Sequence, residues 1–433
     1  MSDHAIAVSG FVLLFVLMLL RVPVGIAMGL IGIAGFGFMT HDFDAALSLL
    51  AQSPIRTVAD MQFAVIPLFL LMGAFASASG MSRELFRVSN AFLGHFKGGL
   101  GIATIAACGG FAAICGSSVA TAATFSSVAY PEMRRYGYPQ SFSTGVIAAG
   151  GSLGIMIPPS TVLAVYGLIT EQDIGKLFIA GILPGIVAVA MYIITINIIG
   201  FVRPRFLPAG TRHSWSERIA SLRDVWAVAL LFVFIIGGLY GGLFTATEAG
   251  GMGAGGAFII GVLRRKLSWA QFMSSLVESL RTTAAVFTIL IGALLFGYFL
   301  TITQTPQALT TWLTGLGLGR YEVLAMILLM YLLLGCIMDA MAMIILTVPI
   351  IFPVIMQLGF DPIWFGVIVV VTVELGLIHP PVGMNVFVIK SVVRDVKLST
   401  IFVGVAPFVV TDIIRLVLLV AFPVIATFLP AHM

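Results

Sequence analysis

Charge is what this 433-residue chain has least of: Asp, Glu, Lys and Arg make up 9% of it, against 60% hydrophobic residues. A soluble domain carries roughly 25% charged residues, so this composition excludes one. The formal net charge of +4 sits in short loops between apolar runs, which gives no basic surface for nucleic acid. Cysteine is nearly absent. Cys108, Cys115 and Cys336 lie among apolar or small residues without metal-ligand spacing, and read as packing residues rather than a disulfide or zinc site. Of the six histidines only His379 falls inside an apolar segment. The chain has no Gly-x-x-x-x-Gly-Lys-Ser/Thr, which excludes ATP hydrolysis by a P-loop. "GGSLG" (150–154) fits Gly-x-Ser-x-Gly, but no strand precedes it and no triad partner is near. "GMGAGG" (251–256) fits the dinucleotide pattern within a helix, where small residues serve packing. An enzyme reading has almost nothing to stand on.

What the chain has in abundance is apolar runs, and a bilayer-spanning helix needs about 20 such residues. The pattern predicts an all-α polytopic membrane protein. Apolar helices are expected near 5–20, 23–39, 61–79, 140–170, 175–200, 225–243, 246–263, 284–303, 362–393 and 399–429. Two more, near 98–130 and 322–356, are interrupted at their centres by small or polar residues. Two amphipathic stretches, 82–95 and 303–316, read as interfacial arms. No basic segment precedes the first apolar run and Arg21 follows it, which fits a retained helix with its N-terminus outside.

Two of these helices are broken alike, by "GGSLGIMIPPS" (150–160) and "TVELGLIHPPV" (372–382). A helix interior loses about 3 kcal/mol to proline and about 1 to glycine, so the coincidence needs a cause. Sliding the sequence by 222 positions superimposes the breaks without a gap. Pro158 and Pro159 meet Pro380 and Pro381, Leu153 and Gly154 meet Leu375 and Gly376, and Pro131 and Gly137 meet Pro353 and Gly359. An ungapped register over roughly 200 residues argues for internal duplication. The halves would be 1–205 and 227–433, joined by a cytoplasmic linker at 206–226. In the first half, 1–80 would be scaffold, 82–95 the arm, and 98–200 the hairpin, broken helix and following span. In the second, 227–303 would be scaffold, 303–316 the arm, 322–393 the hairpin and broken helix, and 399–429 the last helix.

Orientation follows from charge. If 98–130 and 322–356 are re-entrant hairpins, 18 of the 22 Lys and Arg lie inside, among them Arg134, Arg135 and Arg205; Arg56, Lys176 and Arg320 lie outside, and Arg415 is within the last helix. Each half then crosses five times, so the repeats are inverted and both termini are periplasmic. Inverted repeats with broken helices characterise secondary transporters.

A broken backbone survives in a bilayer only where protein or a watery cavity satisfies its freed groups. The break also creates a half-helix C-terminus that favours cations and an N-terminus that favours anions. The stretches Gly154–Ser160 and Gly376–Gly383 are therefore paired ion and anion sites by expectation. Gly116, Ser117 and Ser118 offer an oxygen-rich turn suited to sodium, or alternatively close helix packing. At the 222 offset Ser117 meets Asp339, an isolated acid in an apolar segment and functional by default. Glu374 either lies near the site or pairs with an arginine. Asn385 faces substrate or caps carbonyls freed by the prolines. His379 either donates to an anion or is a satisfied interior histidine. Asp412 and Arg415, three apart, should pair with each other, and Glu248 should cap a helix together with Thr245 or Thr247.

The segments "GGSLGIMIPPST", "CGSSVATAATF", "FTATEAGG", "DAMAMIILTVPIIFPV" and "ELGLIHPPVGMNVFVI" resemble the large membrane subunit of TRAP (tripartite ATP-independent periplasmic) transporters, of the ion transporter superfamily, over nearly the whole chain. That resemblance implies a sodium-driven, elevator-type importer of the bacterial inner membrane. It would take an organic anion, such as a C4-dicarboxylate, sialic acid or another sugar or keto acid, from a periplasmic substrate-binding protein. It would partner a small four-helix membrane subunit, here a separate polypeptide, and use no cofactor beyond the coupling ion. The family's sodium motifs fall on Gly116, Ser117 and Ser118 with Gly151, Ser152 and Gly154, and on Met338 and Asp339 with Thr372 and Gly376. Substrate contacts are expected at Pro158, Pro159, Ser160, Thr161, His379, Pro380, Pro381 and Asn385. His379 stands where many relatives have threonine. The rival readings are a stand-alone sodium–carboxylate symporter of the same superfamily and a membrane-embedded enzyme or scaffold.

Overall fold

A computed structural model describes residues 3–433 except Arg205 and Cys336, and except the Thr314 side chain. The expectations for Arg205 and Cys336 lie outside the described residues. Among these residues there is no strand, only an isolated bridge between Lys97 and Ala209. The first part of the chain forms α1 (Asp3–Leu19), α2 (Val24–Thr40), α3 (Phe43–Ala59), α4 (Val65–Ala78), α5 (Met81–Leu93), α6 (Gly99–Cys115), α7 (Ser118–Arg135), α8 (Gln140–Ser152), α9 (Thr161–Thr170) and α10 (Ile174–Val202). Then come α11 (Trp215–Leu222), α12 (Trp226–Tyr240), α13 (Ala246–Leu263), α14 (Trp269–Ile302), α15 (Thr305–Gly315), α16 (Arg320–Gly335), α17 (Ala340–Gln357), α18 (Pro362–Ile378), α19 (Met384–Val392), α20 (Leu398–Ala421) and α21 (Val424–Thr427). Six helical segments are long and apolar enough to cross a membrane, or seven if α11 and α12, bent by 48°, count as one. Shorter apolar helices include α1, α2, α6, α9 and α18.

The interrupted segments fold as helix–turn–helix pairs, α6–α7 and α16–α17, and the Pro-Pro segments as broken helices, α8–α9 and α18–α19. α7 and α17 both start and end 222 residues apart, and α2 and α13 start at that same spacing. The last helix, expected over 399–429, ends at Ala421 ahead of Pro423, and α21 follows it. Three further elements differ from expectation. Residues 43–59 form α3, the linker contains α11, and α14 begins at Trp269 rather than near 284. All three stretches are mixed in polarity, so hydropathy alone passes over them. Polar starts are clear in hindsight: Asp42 caps α3, and Ser214 with Glu217 and Ser268 with Gln271 form capping boxes.

Glycine sets the tightest packing. α2 lies on α14 so closely that a Cβ at Gly25 would sit 2.5 Å from the Thr288 carbonyl oxygen, and one at Gly292 would sit 1.9 Å from that of Gly25. α8 and α20 meet in the same way at Gly145 and Gly404. Small residues allow such backbone approach in membranes, where apolar burial between helices gains little. α2 and α4 thus pack with α13 and α14, while α7–α10 pack with α17–α20. α5 is anchored by Glu84, which accepts bidentate bonds from Arg264 (2.9 and 2.8 Å) and a further one from Lys266. Arg87 of the same helix pairs with Asp224.

Candidate functional site

The turn of the first hairpin is closed by Gly116 at φ +64° and by Ser117, whose side chain accepts from Ala120 N at 3.3 Å as the N-cap of α7. The turn rests on the first broken helix. The Thr161 hydroxyl donates to the Gly116 carbonyl at 2.9 Å, and a Cβ at Gly116 would lie 2.7 Å from the Pro159 carbonyl oxygen. A Cβ at Gly154 would come 2.5 Å from the Ser117 carbonyl oxygen, and one at Gly151 would come 2.8 Å from the Cβ of Ala122. Gly116, Ser117, Gly154, Pro159 and Thr161 therefore lie together, with Gly151 packed further along α7. Ser160 caps α9: its hydroxyl meets the Ile155 carbonyl and accepts from Leu163 N at 3.2 Å. The Pro158–Pro159 and Pro380–Pro381 bonds are both cis.

The second half repeats the plan with different chemistry. Asp339 caps α17, its carboxylate accepting from Met341 N at 3.2 Å and from Ala342 N at 3.5 Å. Gly376 packs on the other helix of the hairpin, where its Cβ would lie 2.8 Å from the Gly335 Cα. The two halves interlock, for α9 packs on α17 and α19 on α7. Asn385 is fully buried and donates to the Ala148 carbonyl of α8, in the other broken helix, at 3.4 Å. The Thr372 hydroxyl returns to the Ile368 carbonyl at 2.9 Å. His379 departs from the expectation of an interior residue. It sits part-exposed at the break, with Nδ1 against the Pro380 carbonyl, because the chain leaves the helix there. The Met338 side chain and the Ser118 residue are buried beside their turns.

Around the first hairpin turn lies a cavity of about 310 Å³ between α4, α7 and α14, lined by Ser77, Ser117, Thr124, Gln271, Ser275 and Glu278 among others. Sequence reading missed its α14 wall, although Gln271, Ser274, Ser275, Glu278, Ser279 and Thr282 recur at helical spacing on one face, because hydropathy picks out only the apolar part of that segment as helix. A second cavity, about 400 Å³, opens between α9, α14 and α17 beside Tyr298, Thr301 and Pro349. Glu278 and Tyr298 are roughly 30 Å apart along α14 at 1.5 Å per residue.

Behind the broken helices runs a polar chain with every charge at 0% exposure. Arg415 Nη2 meets Glu374 Oε2 at 2.5 Å and Asp412 Oδ1 at 3.1 Å. Tyr192 donates to the Asp412 carboxylate, 2.8 and 2.7 Å from its two oxygens, and lies 3.3 Å from the Ser152 hydroxyl. The expected Asp412–Arg415 pair is present, and the arginine partner of Glu374 is Arg415. Ser152, predicted to bind sodium, directs its hydroxyl instead at the Ala149 carbonyl (2.8 Å) and at Tyr192. Glu248 forms the expected capping box with Thr245. Among the described residues no group of three or more His, Cys, Asp or Glu could hold a metal ion.

Among the described residues the protein is all-helical, with paired helix–turn–helix hairpins, paired broken helices and several helices apolar enough to cross a membrane. Residues 11–425 match the family described as "Tripartite ATP-independent periplasmic transporter, DctM component". The chain is 40% identical over 397 residues to a C4-dicarboxylate TRAP transporter large permease protein of Pseudomonas aeruginosa, covering 89% of this chain and 91% of that one. It is 35% identical over 420 residues to an isethionate TRAP transporter permease, DctMQ, of Oleidesulfovibrio alaskensis, covering 95% of this chain and 64% of the relative. Among solved structures it resembles the Alcanivorax borkumensis YdaH transporter, at a TM-score of 0.63 and 14% identity over 88% of this chain and 90% of that one, a likeness of fold. The chain belongs to the TRAP transporter large permease family. It is a transport protein of that family, not an enzyme.

Proposed function

We propose that this permease imports a small organic anion, of the dicarboxylate or related acid class, across the bacterial inner membrane with sodium. The substrate comes from a periplasmic binding protein, and a small four-helix membrane subunit completes the complex. The relative named DctMQ spans more than the matched segment, which accords with such a second membrane part. The observation that carries the reading is the contact of the Gly116–Ser117 turn with Gly154, Pro159 and Thr161. It gathers backbone carbonyls of a turn and of a half-helix end, the oxygen donors a hard cation takes. Sodium is assigned to Gly116, Ser117, Ser118, Gly151, Ser152 and Gly154, and in the second half to Met338, Asp339, Thr372 and Gly376. Because the Ser117 and Ser152 hydroxyls and the Asp339 carboxylate have local partners, the main chain supplies most ligands. Substrate is assigned to Pro158–Thr161, His379–Pro381 and Asn385. The matched element spacing supports an inverted duplication, with α1–α4 and α12–α14 as scaffold, α5 and α15 as arms, and the hairpins, broken helices, α10 and α20 as a moving domain. The two cavities along α14, one polar and one mainly apolar, suit alternate access from the two sides.

Vesicles holding the permease, its small subunit and receptor should accumulate the anion only with sodium outside. Undiminished uptake with choline replacing sodium would rule the coupling out. For topology, single cysteines at 135 and 361, in a chain lacking Cys108, Cys115 and Cys336, should respond oppositely to an impermeant thiol reagent on intact cells. Position 361 should label and position 135 should not. Labelling of both would mean that the first hairpin crosses the membrane, and the inverted arrangement would fail.

A further inference from the structure

α18 presents two working faces. Gly376 packs against the hairpin at Gly335, whereas Glu374, two residues earlier and therefore about 200° round the helix, points to Arg415 of α20. Ser152 of α8 stands 222 positions before Glu374, so the same register position of each broken helix enters one polar chain. Its order is Ser152, Tyr192, Asp412, Arg415, Glu374. With the single Tyr192 proton on Asp412, the one Ser152 proton is shared between the Ala149 carbonyl at 2.8 Å and the Tyr192 oxygen at 3.3 Å. Tyr192 and the three charged side chains are at 0% exposure. Parting Arg415 from either carboxylate would leave a buried charge without its partner, which costs far more than a surface pair, and parting Ser152 from Tyr192 would take a buried hydroxyl from its neighbour. The ends of α8 and α18 thus have strong reason to shift together.

We propose that Tyr192 is a positioning residue that couples the two ion sites, so that sodium at one broken helix sets the geometry of the other. This rests on the sodium reading above. It touches neither ion nor substrate: Tyr192 acts through Ser152 on one side and through Asp412 and Arg415 on the other. The coupling predicts cooperative sodium dependence, to which the two helices contribute through a shared hydroxyl.

The test is the initial rate of uptake against sodium concentration in vesicles containing the whole transport system. Tyr192→Phe removes the shared hydroxyl and keeps the ring packed on Phe408. It should flatten the sigmoidal sodium curve and raise half-saturating sodium about fivefold or more, with the rate at saturating sodium within about twofold of wild type. Ser152→Ala, which frees only the α8 end, should flatten the curve as well and provides a second reading of the same link. Thr195→Val is the control: it removes the 2.5 Å contact between Thr195 and Thr411, which joins α10 and α20 outside the chain. It should leave the steepness unchanged. An unaltered sodium curve in Tyr192→Phe, even with a lowered thermal midpoint, would overturn the coupling, as would an equal loss of steepness in Thr195→Val. Sodium-independent uptake by the wild type would instead fail the underlying reading, so the two failures are distinguishable.

Discussion

Gly154→Ala should lower sodium-driven uptake at least about tenfold while the protein still inserts. The added methyl would stand 2.5 Å from the Ser117 carbonyl oxygen, 2.7 Å from its carbon and 2.8 Å from the Thr121 hydroxyl. Two of those atoms are backbone, so the turn itself must retreat. Overpacking of this kind costs about 1–3 kcal/mol, and here the strain falls on the carbonyl assigned to the ion. Gly376→Ala should act likewise through Gly335, where the obstacle is the backbone at 2.8 Å. Gly237→Ala is the comparison, because a methyl there meets nothing within 4 Å. Uptake and sodium response measured side by side decide the matter: wild-type behaviour in Gly154→Ala would detach the turn from the ion site.

Arg415→Met should destabilise the purified protein by about 3–5 kcal/mol, the usual result of removing one partner from a buried ion pair. The reason is local. Glu374 and Asp412 would face each other at 0% exposure without the guanidinium between them. Replacing Arg415, Glu374 and Asp412 together with apolar residues of similar size should be much less harmful, since no charge is then stranded. Denaturant unfolding in detergent measures both. A loss below about 1 kcal/mol in the single variant would mean that the carboxylates find compensation elsewhere.

The hairpins, broken helices and their register could be read before any coordinates because each carries a local conflict. Gly-x-x-x-Pro-Pro cannot continue a helix, and Gly116-Ser117 cannot easily occupy the middle of one. Two conflicts at one spacing are a pattern. The elements passed over are those that tertiary contact shapes: α3 and the start of α14 carry too many polar side chains to read as apolar, yet Thr57 and Ser275 are buried. The candidate site was legible as residue types but not as roles. Isolation in an apolar run marks Asp339 and Glu374 equally, but one caps its own helix and the other meets an arginine 41 positions away. Tyr192 carries no sequence signal at all, since a tyrosine among isoleucines reads as packing.

The length of α14 has a consequence for the lipid around it. At 1.5 Å per residue its 34 residues extend about 51 Å, well beyond a hydrocarbon layer of about 30 Å. The helix can lie in that layer only by leaning, or by carrying its Gln271–Arg281 end out among the headgroups, where those polar side chains belong. A thicker bilayer would stand α14 more upright, a thinner one would tip it further, at fractions of a kcal/mol per ångström. Since both cavities open onto this one helix, membrane thickness would set how widely each of them gapes.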